Sequence, residues 1–126
     1  MLIYTEFFLY CIVSLLILFN MIDTTTIQVG DVLHYDYHYT ACIPVFLEVT
    51  RVSKKSAFVR QLAKKIVDNE DGYGQSGTQV PNFEARHLSK EERYIIRTDN
   101  NNRAYIKVDG HRAYHWDQKP KMFYGD

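Results

Sequence analysis

The alternation of residue types from Val29 to Arg60 constrains this chain more than any other feature. Val29-Gly30-Asp31 is a turn signal. It leads into a run in which Leu33, Tyr35, Tyr37 and Tyr39 alternate with His34, Asp36 and His38. Period-2 alternation is the mark of a strand with one face buried. A second run places Val45, Leu47 and Val49 on one side and Phe46, Glu48, Thr50 and Val52 on the other. Pro44 stands at its start, where a missing N–H costs little. Ser53-Lys54-Lys55 breaks that run, and a third strand begins at Ser56 and extends toward Ile66-Val67. Its inward parity stays open, because Ala57 and Val59 alternate against Phe58 and Leu62. Three consecutive runs rich in β-branched and aromatic residues predict an antiparallel meander. They predict no reaction.

The rest of the body reads as further short strands with one helical patch. Residues 68–79, with three glycines and three acids, form a loop, and Val80-Pro81-Asn82-Phe83 a short edge strand. Ser89 is spaced to cap a helical turn with Glu92 as its partner. Arg93 to Arg97 and Ala104 to Val108 flank Asp99-Asn100-Asn101-Asn102 and predict a hairpin. Asp109 is a candidate cap for a short helix from Gly110 to Trp116. The expected fold is mainly β: a small SH3-like barrel or roll over 29–126, with one short helical segment, after a linker at 23–28.

The first 22 residues have a different character. From Phe7 to Phe19 only Ser14 is polar, and the apolar run from Leu2 to Ile22 covers 2–22, interrupted by Thr5, Glu6 and Asn20. A spanning helix needs roughly 20 mostly apolar residues, so an N-terminal apolar helix anchoring the chain in a membrane is one reading. The other makes Met21 the natural start and 1–20 an over-extended gene start. A secretory signal fits poorly, since no Lys or Arg precedes the run and Phe19-Asn20-Met21 is not a small-residue cleavage site. Orientation is unreadable, because no Lys or Arg occurs before Arg51.

Several weak motifs recur in a fixed order. They are Gly30-Asp31 before an aromatic strand, Val49-Thr50-Arg51-Val52-Ser53-Lys54-Lys55 in a hairpin ending at Val59-Arg60, Val80-Pro81, and Trp116-Asp117-Gln118-Lys119-Pro120. Over about 29–120 the chain resembles a group of small phage and prophage proteins of unknown function, which share a Gly-Asp-led strand, a V-x-x-V-S-x-K hairpin and a W-D-G-K-P ending. Gln118 stands where the group has glycine, and His38-Tyr39-Thr40-Ala41 replaces an Asp-Gln-Thr-Asn-like segment. The group begins close to its Gly-Asp, which favours the Met21 start. The resemblance implies a phage context and no activity.

Candidate chemistry is sparse. With 15 basic and 15 acidic residues the net charge is zero, so no bulk field favours nucleic acid or membrane. The two cysteines, Cys11 in the apolar run and Cys42 in the body, make no disulfide framework and fit a reducing compartment. No P-loop, G-x-S-x-G, C-x-x-C or H-E-x-x-H occurs, no enzymatic activity is expected, and no cofactor is called for. His34, Asp36 and His38 share a strand face and are conceivable metal ligands, but a solvated face accounts for them better. The same holds for His111 and His115, four apart on the expected helix. The clearest charge feature is Arg51, Lys54, Lys55, Arg60, Lys64 and Lys65, with no acid between Arg51 and Val67. Basic groups beside aromatics suit single-stranded nucleic acid, through phosphate contacts and base stacking. A solvated hairpin protecting a sheet edge is the plainer reading.

These features lead to two functional expectations. One is a non-catalytic phage-type accessory module that binds nucleic acid through the basic hairpin, in the host-cell cytoplasm. The other is a module that binds another phage or host protein while tethered to the inner membrane by residues 2–22. Trp116, with Gly30 and Asp31, is expected to be structural, its ring packing on the first hairpin.

Overall fold

The computed structural model describes residues 23–38, 40–69, 72 and 75–125. The expected apolar helix over 1–22 lies outside the described residues. The described chain is mainly β and contains no helix. Its strands are β1 (Val32–His38), β2 (Cys42–Ser53), β3 (Ser56–Gln61), β4 (Ala63–Asp68), β5 (Ser76–Asn82), β6 (Glu92–Ile95), β7 (Arg97–Thr98), β8 (Ala104–Val108), β9 (His111–His115) and β10 (Lys121–Tyr124). They form one antiparallel sheet in the order β4-β5-β10-β2-β1-β9-β8-β7, with β3 pairing with both β2 and β6.

The long strand β2 is the hub. Its first half pairs with β1 from Cys42↔His38 to Glu48↔Val32, and its second half with β3 from Leu47↔Gln61 to Ser53↔Ser56. A bulge between Val49 and Arg51 reverses the parity of the residues beyond it. Val45, Leu47 and Val49 face the core as the alternation predicts, but Val52 also packs on it, and Arg51 turns outward opposite Phe58. The open parity of β3 resolves the same way, with Ala57 and Val59 buried in the core and Phe58 outside. Leu33, Ala104, Ile106, Val108 and Ala113 complete the core from β1, β8 and β9.

Several expected elements differ. The third strand stops at Gln61 instead of running on to Val67. Leu62 is buried and donates its N–H to the Phe46 carbonyl at 2.8 Å, and the chain then leaves for β4, which pairs with β5. The Val80-Pro81 strand is longer than expected and lies between β4 and β10. Pairing with β10 ends at Gln79, short of Pro81, so the absent proline N–H breaks no ladder there. Ser89 caps no helix; its hydroxyl accepts the Gln61 N–H at 2.9 Å. Gly110 to Trp116 forms no helix; its core is a strand, β9, because Asp109 and Gly110 have φ of 50° and 82° and close a two-residue hairpin between Val108 and His111. Asp-Gly at that spacing is a strong hairpin signal, and it outweighs the capping potential of the aspartate. The expected hairpin about residues 99–103 forms only in part: Arg97 and Thr98 pair with β8, whereas Glu92 to Ile95, expected on the same arm from Arg93, pair with β3 instead. Residues 23–28 are no free linker: Ile27 is buried, and the Thr24 carbonyl accepts the Ala104 N–H at 2.7 Å.

Candidate nucleic-acid interface

The bulge decides which of the six basic side chains meet. Arg51, Phe58 and Arg60 lie on the outer face of β2 and β3, and the Arg51 guanidinium sits 3.9 Å above the Phe58 ring. Arg93 joins them from β6, opposite Phe58, and donates to the Ser56 hydroxyl at 2.9 Å. Lys54 and Lys55 are exposed at the turn. Lys64 and Lys65 belong elsewhere, since the break at Leu62 carries them onto β4. Lys64 is half-buried and donates to the Pro44 carbonyl at 2.9 Å, and burial pushes its ammonium below the usual lysine range. The expected patch therefore loses Lys64 and Lys65, gains Arg93, and consists of Arg51, Lys54, Lys55, Arg60 and Arg93. Acids interrupt it. Glu91 accepts from the Thr50 hydroxyl at 2.6 Å and from Arg51 at 3.1 Å, contacts that hold its carboxyl below the ordinary range. Glu48, opposite Arg60, bonds His87 at 3.0 Å.

A second basic surface continues from the first. Arg93, Ile95 and Arg97 share the polar parity of residues 92–98, whose first half pairs with β3 and second half with β8. Arg97 faces Tyr105, Tyr105 faces Tyr114, and Lys107 faces Arg112 across β7, β8 and β9. The Arg112 guanidinium lies 4.8 Å over the Tyr105 ring and that of Arg103 lies 4.5 Å over Tyr114. The signal was present in the sequence: Arg103, Tyr105 and Lys107 alternate with Ala104, Ile106 and Val108. The expected helix over 110–116 hid its other half.

His34, Asp36 and His38 line one face of β1, but His34 Nε2 is bonded to Asp36 at 2.9 Å and His38 lies 3.9 Å from the Cys42 sulfur. Among the described residues no three His, Cys, Asp or Glu side chains converge as metal ligands. Burial pushes the Cys42 thiol up and the His34 imidazole down, the latter against the pull of Asp36. His111 and His115 sit at opposite ends of β9 rather than on one helix face. His111 stacks on Tyr35, and His115 bonds the Asp31 carboxylate at 3.1 Å.

Gly30 and Asp31 meet the tryptophan segment in space. The Gly30 N–H donates to Val49 at 2.9 Å, and the Trp116 N–H donates to Val32 at 2.8 Å. The indole packs edge-on against Phe46, with ring centroids 5.5 Å apart, and its N–H donates to the Lys119 carbonyl at 2.8 Å. Gly30, Asp31, Val32 and Trp116, together with Phe83, His115 and Gln118, line a cleft of about 370 Å³.

The fold and its surfaces define a small, mainly β module with two adjoining basic, aromatic faces. No family model matches the chain, and no curated protein or solved structure shows significant similarity to it.

Proposed function

We propose that this chain is a non-catalytic, phage-type accessory module that holds single-stranded nucleic acid on the outer face of β2, β3 and β6. The observation that carries the reading is Arg51 lying over Phe58, with Arg60 and Arg93 on the same face and Lys54 and Lys55 at its tip. A guanidinium held on a ring loses little rotamer freedom on binding, and Arg51, with one N–H on Glu91, meets phosphate through its remaining N–H groups. The phage-type reading is supported by the junction of Gly30-Asp31 with the Trp116 segment, since two distant motifs of the resemblance line one cleft. An SH3-like roll is supported by the circuit of pairings through β1, β2, β3 and β6, then β7, β8, β9 and back to β1, with only Ile96 between β6 and β7. The non-catalytic reading is supported by Cys42, which stands beside His38 but whose thiol is pushed up, the reverse of an activated nucleophile.

Changing Lys54, Lys55 and Arg60 to Ala tests the proposal. Affinity for a single-stranded oligonucleotide should fall, and the dependence of log K on log salt should flatten by about two units, near 0.7 for each lost phosphate contact. No binding by the unmodified chain at low salt ends the proposal.

A further inference from the structure

We infer that the outer face of β7, β8 and β9 is a second contact surface for single-stranded nucleic acid, built on two arginines stacked over a cross-strand tyrosine pair. The inference rests on the proposed function and extends it to residues that the basic hairpin does not contain. Tyr105 and Tyr114 are register partners with ring centroids 5.3 Å apart. Arg112 lies over the first and Arg103 over the second. The Tyr114 hydroxyl ties the array together, donating to Asp99 at 3.1 Å and accepting from Arg112 at 3.3 Å. Asp99 also accepts the N–H groups of Asn101 and Arg103, both at 2.9 Å, which anchors the loop that carries Arg103. The Arg103 N–H, then the Tyr114 hydroxyl and the Asn101 N–H, hold the Asp99 carboxyl below its usual range, so it stays an acceptor.

Charge on this face is disposed as an anion would require. Arg97, Arg103, Lys107 and Arg112 are all exposed. Asp99 is the carboxylate of the array, and its oxygens are already engaged. Lys107 and Arg112 are direct register partners, a like-charge pair that weakens an antiparallel ladder. Arg112 is held there by Tyr105 and Tyr114, and a bound phosphate relieves its repulsion with Lys107. The partner is single-stranded nucleic acid rather than an acidic peptide because of the planar groups. Arg103 and Arg112 are exposed residues whose guanidinium groups lie over tyrosine rings, and a planar guanidinium so placed is a platform on which a splayed base stacks. Its N–H edge meets phosphate oxygens two at a time. The strip also continues the first surface through Arg93 and Arg97, so one strand of nucleic acid spans both.

The experiment is fluorescence anisotropy of the full chain with a dye-tagged oligo(dT) or oligo(U) of about 16 nucleotides. It compares the parent, Arg103→Ala/Arg112→Ala, Arg103→Lys/Arg112→Lys, and the hairpin variant Lys54→Ala/Lys55→Ala/Arg60→Ala. The Ala pair should weaken binding by at least about tenfold, given two lost charge-assisted contacts, and lower the salt slope by about 1.4. The Lys pair keeps the charge and the fold but loses the planar platform, so it should retain the salt slope and still bind more weakly than the parent. If the hairpin variant loses affinity while both arginine pairs bind like the parent, this inference falls and the hairpin reading stands. If the arginine pairs lose affinity and the hairpin variant does not, the hairpin reading falls instead. A tagged polyglutamate of the same length binding as tightly as the oligonucleotide would overturn the assignment to nucleic acid.

Discussion

At the scale of single residues, Gln118 shows a local rule broken and the cost retained. Its φ of 66° lies in the left-handed region, where a side chain is disfavoured by roughly 1–2 kcal/mol and glycine is not. Glycine is the residue that the W-D-G-K-P ending has at this point. Gln118→Gly should therefore stabilise the fold by about 1 kcal/mol, seen as a higher denaturant midpoint at unchanged m-value. Gly77 is the opposite case. A Cβ there would lie 1.8 Å from the Asp68 carbonyl oxygen, so the close approach of β5 to β4 admits glycine alone. His34 adds a pH dependence. Its imidazole is depressed, chiefly by burial, with Lys121 acting in the same direction and Asp36 and Asp117 opposing. The unfolded chain then binds the proton more readily than the folded one, so stability is full above the unfolded pKa near 6.5 and falls as pH drops below it. His34→Gln should reduce the loss of melting temperature between about pH 7.5 and 5.5, near the histidine range. An unchanged loss would assign the effect to other groups.

Among elements, the segment after β9 depends on one ring. Trp116 is half-buried against Phe46, which is itself fully buried, and its N–H closes the loop onto Lys119. A fully buried Trp changed to Ala costs about 3–5 kcal/mol; at this half-buried site about 2 kcal/mol is expected. Chemical denaturation of Trp116→Ala measures it, and no loss of stability would leave the ring free to serve a partner. The β1–β2 and β2–β3 ladders were legible because their alternation is strict and their breaks are polar. The bulge at Thr50 was not, because an extra residue in one strand is set by the partner it faces. Asp109-Gly110 was legible in principle: two positive-φ residues between alternating strands name a hairpin, and only the weight given to the aspartate as a cap obscured it.

For the whole molecule, the proposed tether is residues 2–22 and the proposed binding faces lie in the body. If that run spans a membrane, the full chain should stay in the pellet after carbonate washing, and a chain starting at Met21 should be released. A natural product whose first residue is Met21 or Ile22 would remove the proposed tether. The sequence by itself determined the strand-rich class and the inward residues of β1 and β2, because alternation with a period of two is a local property of the backbone. It also determined that basic and aromatic residues would lie close together along the chain. Only the tertiary structure decided which of them share a surface. The turn at Leu62 removed Lys64 and Lys65 to another strand, and the pairings of β6 and β7 brought in Arg93 and joined the face of Arg97, Arg103, Lys107 and Arg112. Such groupings depend on contacts between residues distant in sequence, and no local pattern encodes which strand edges will meet.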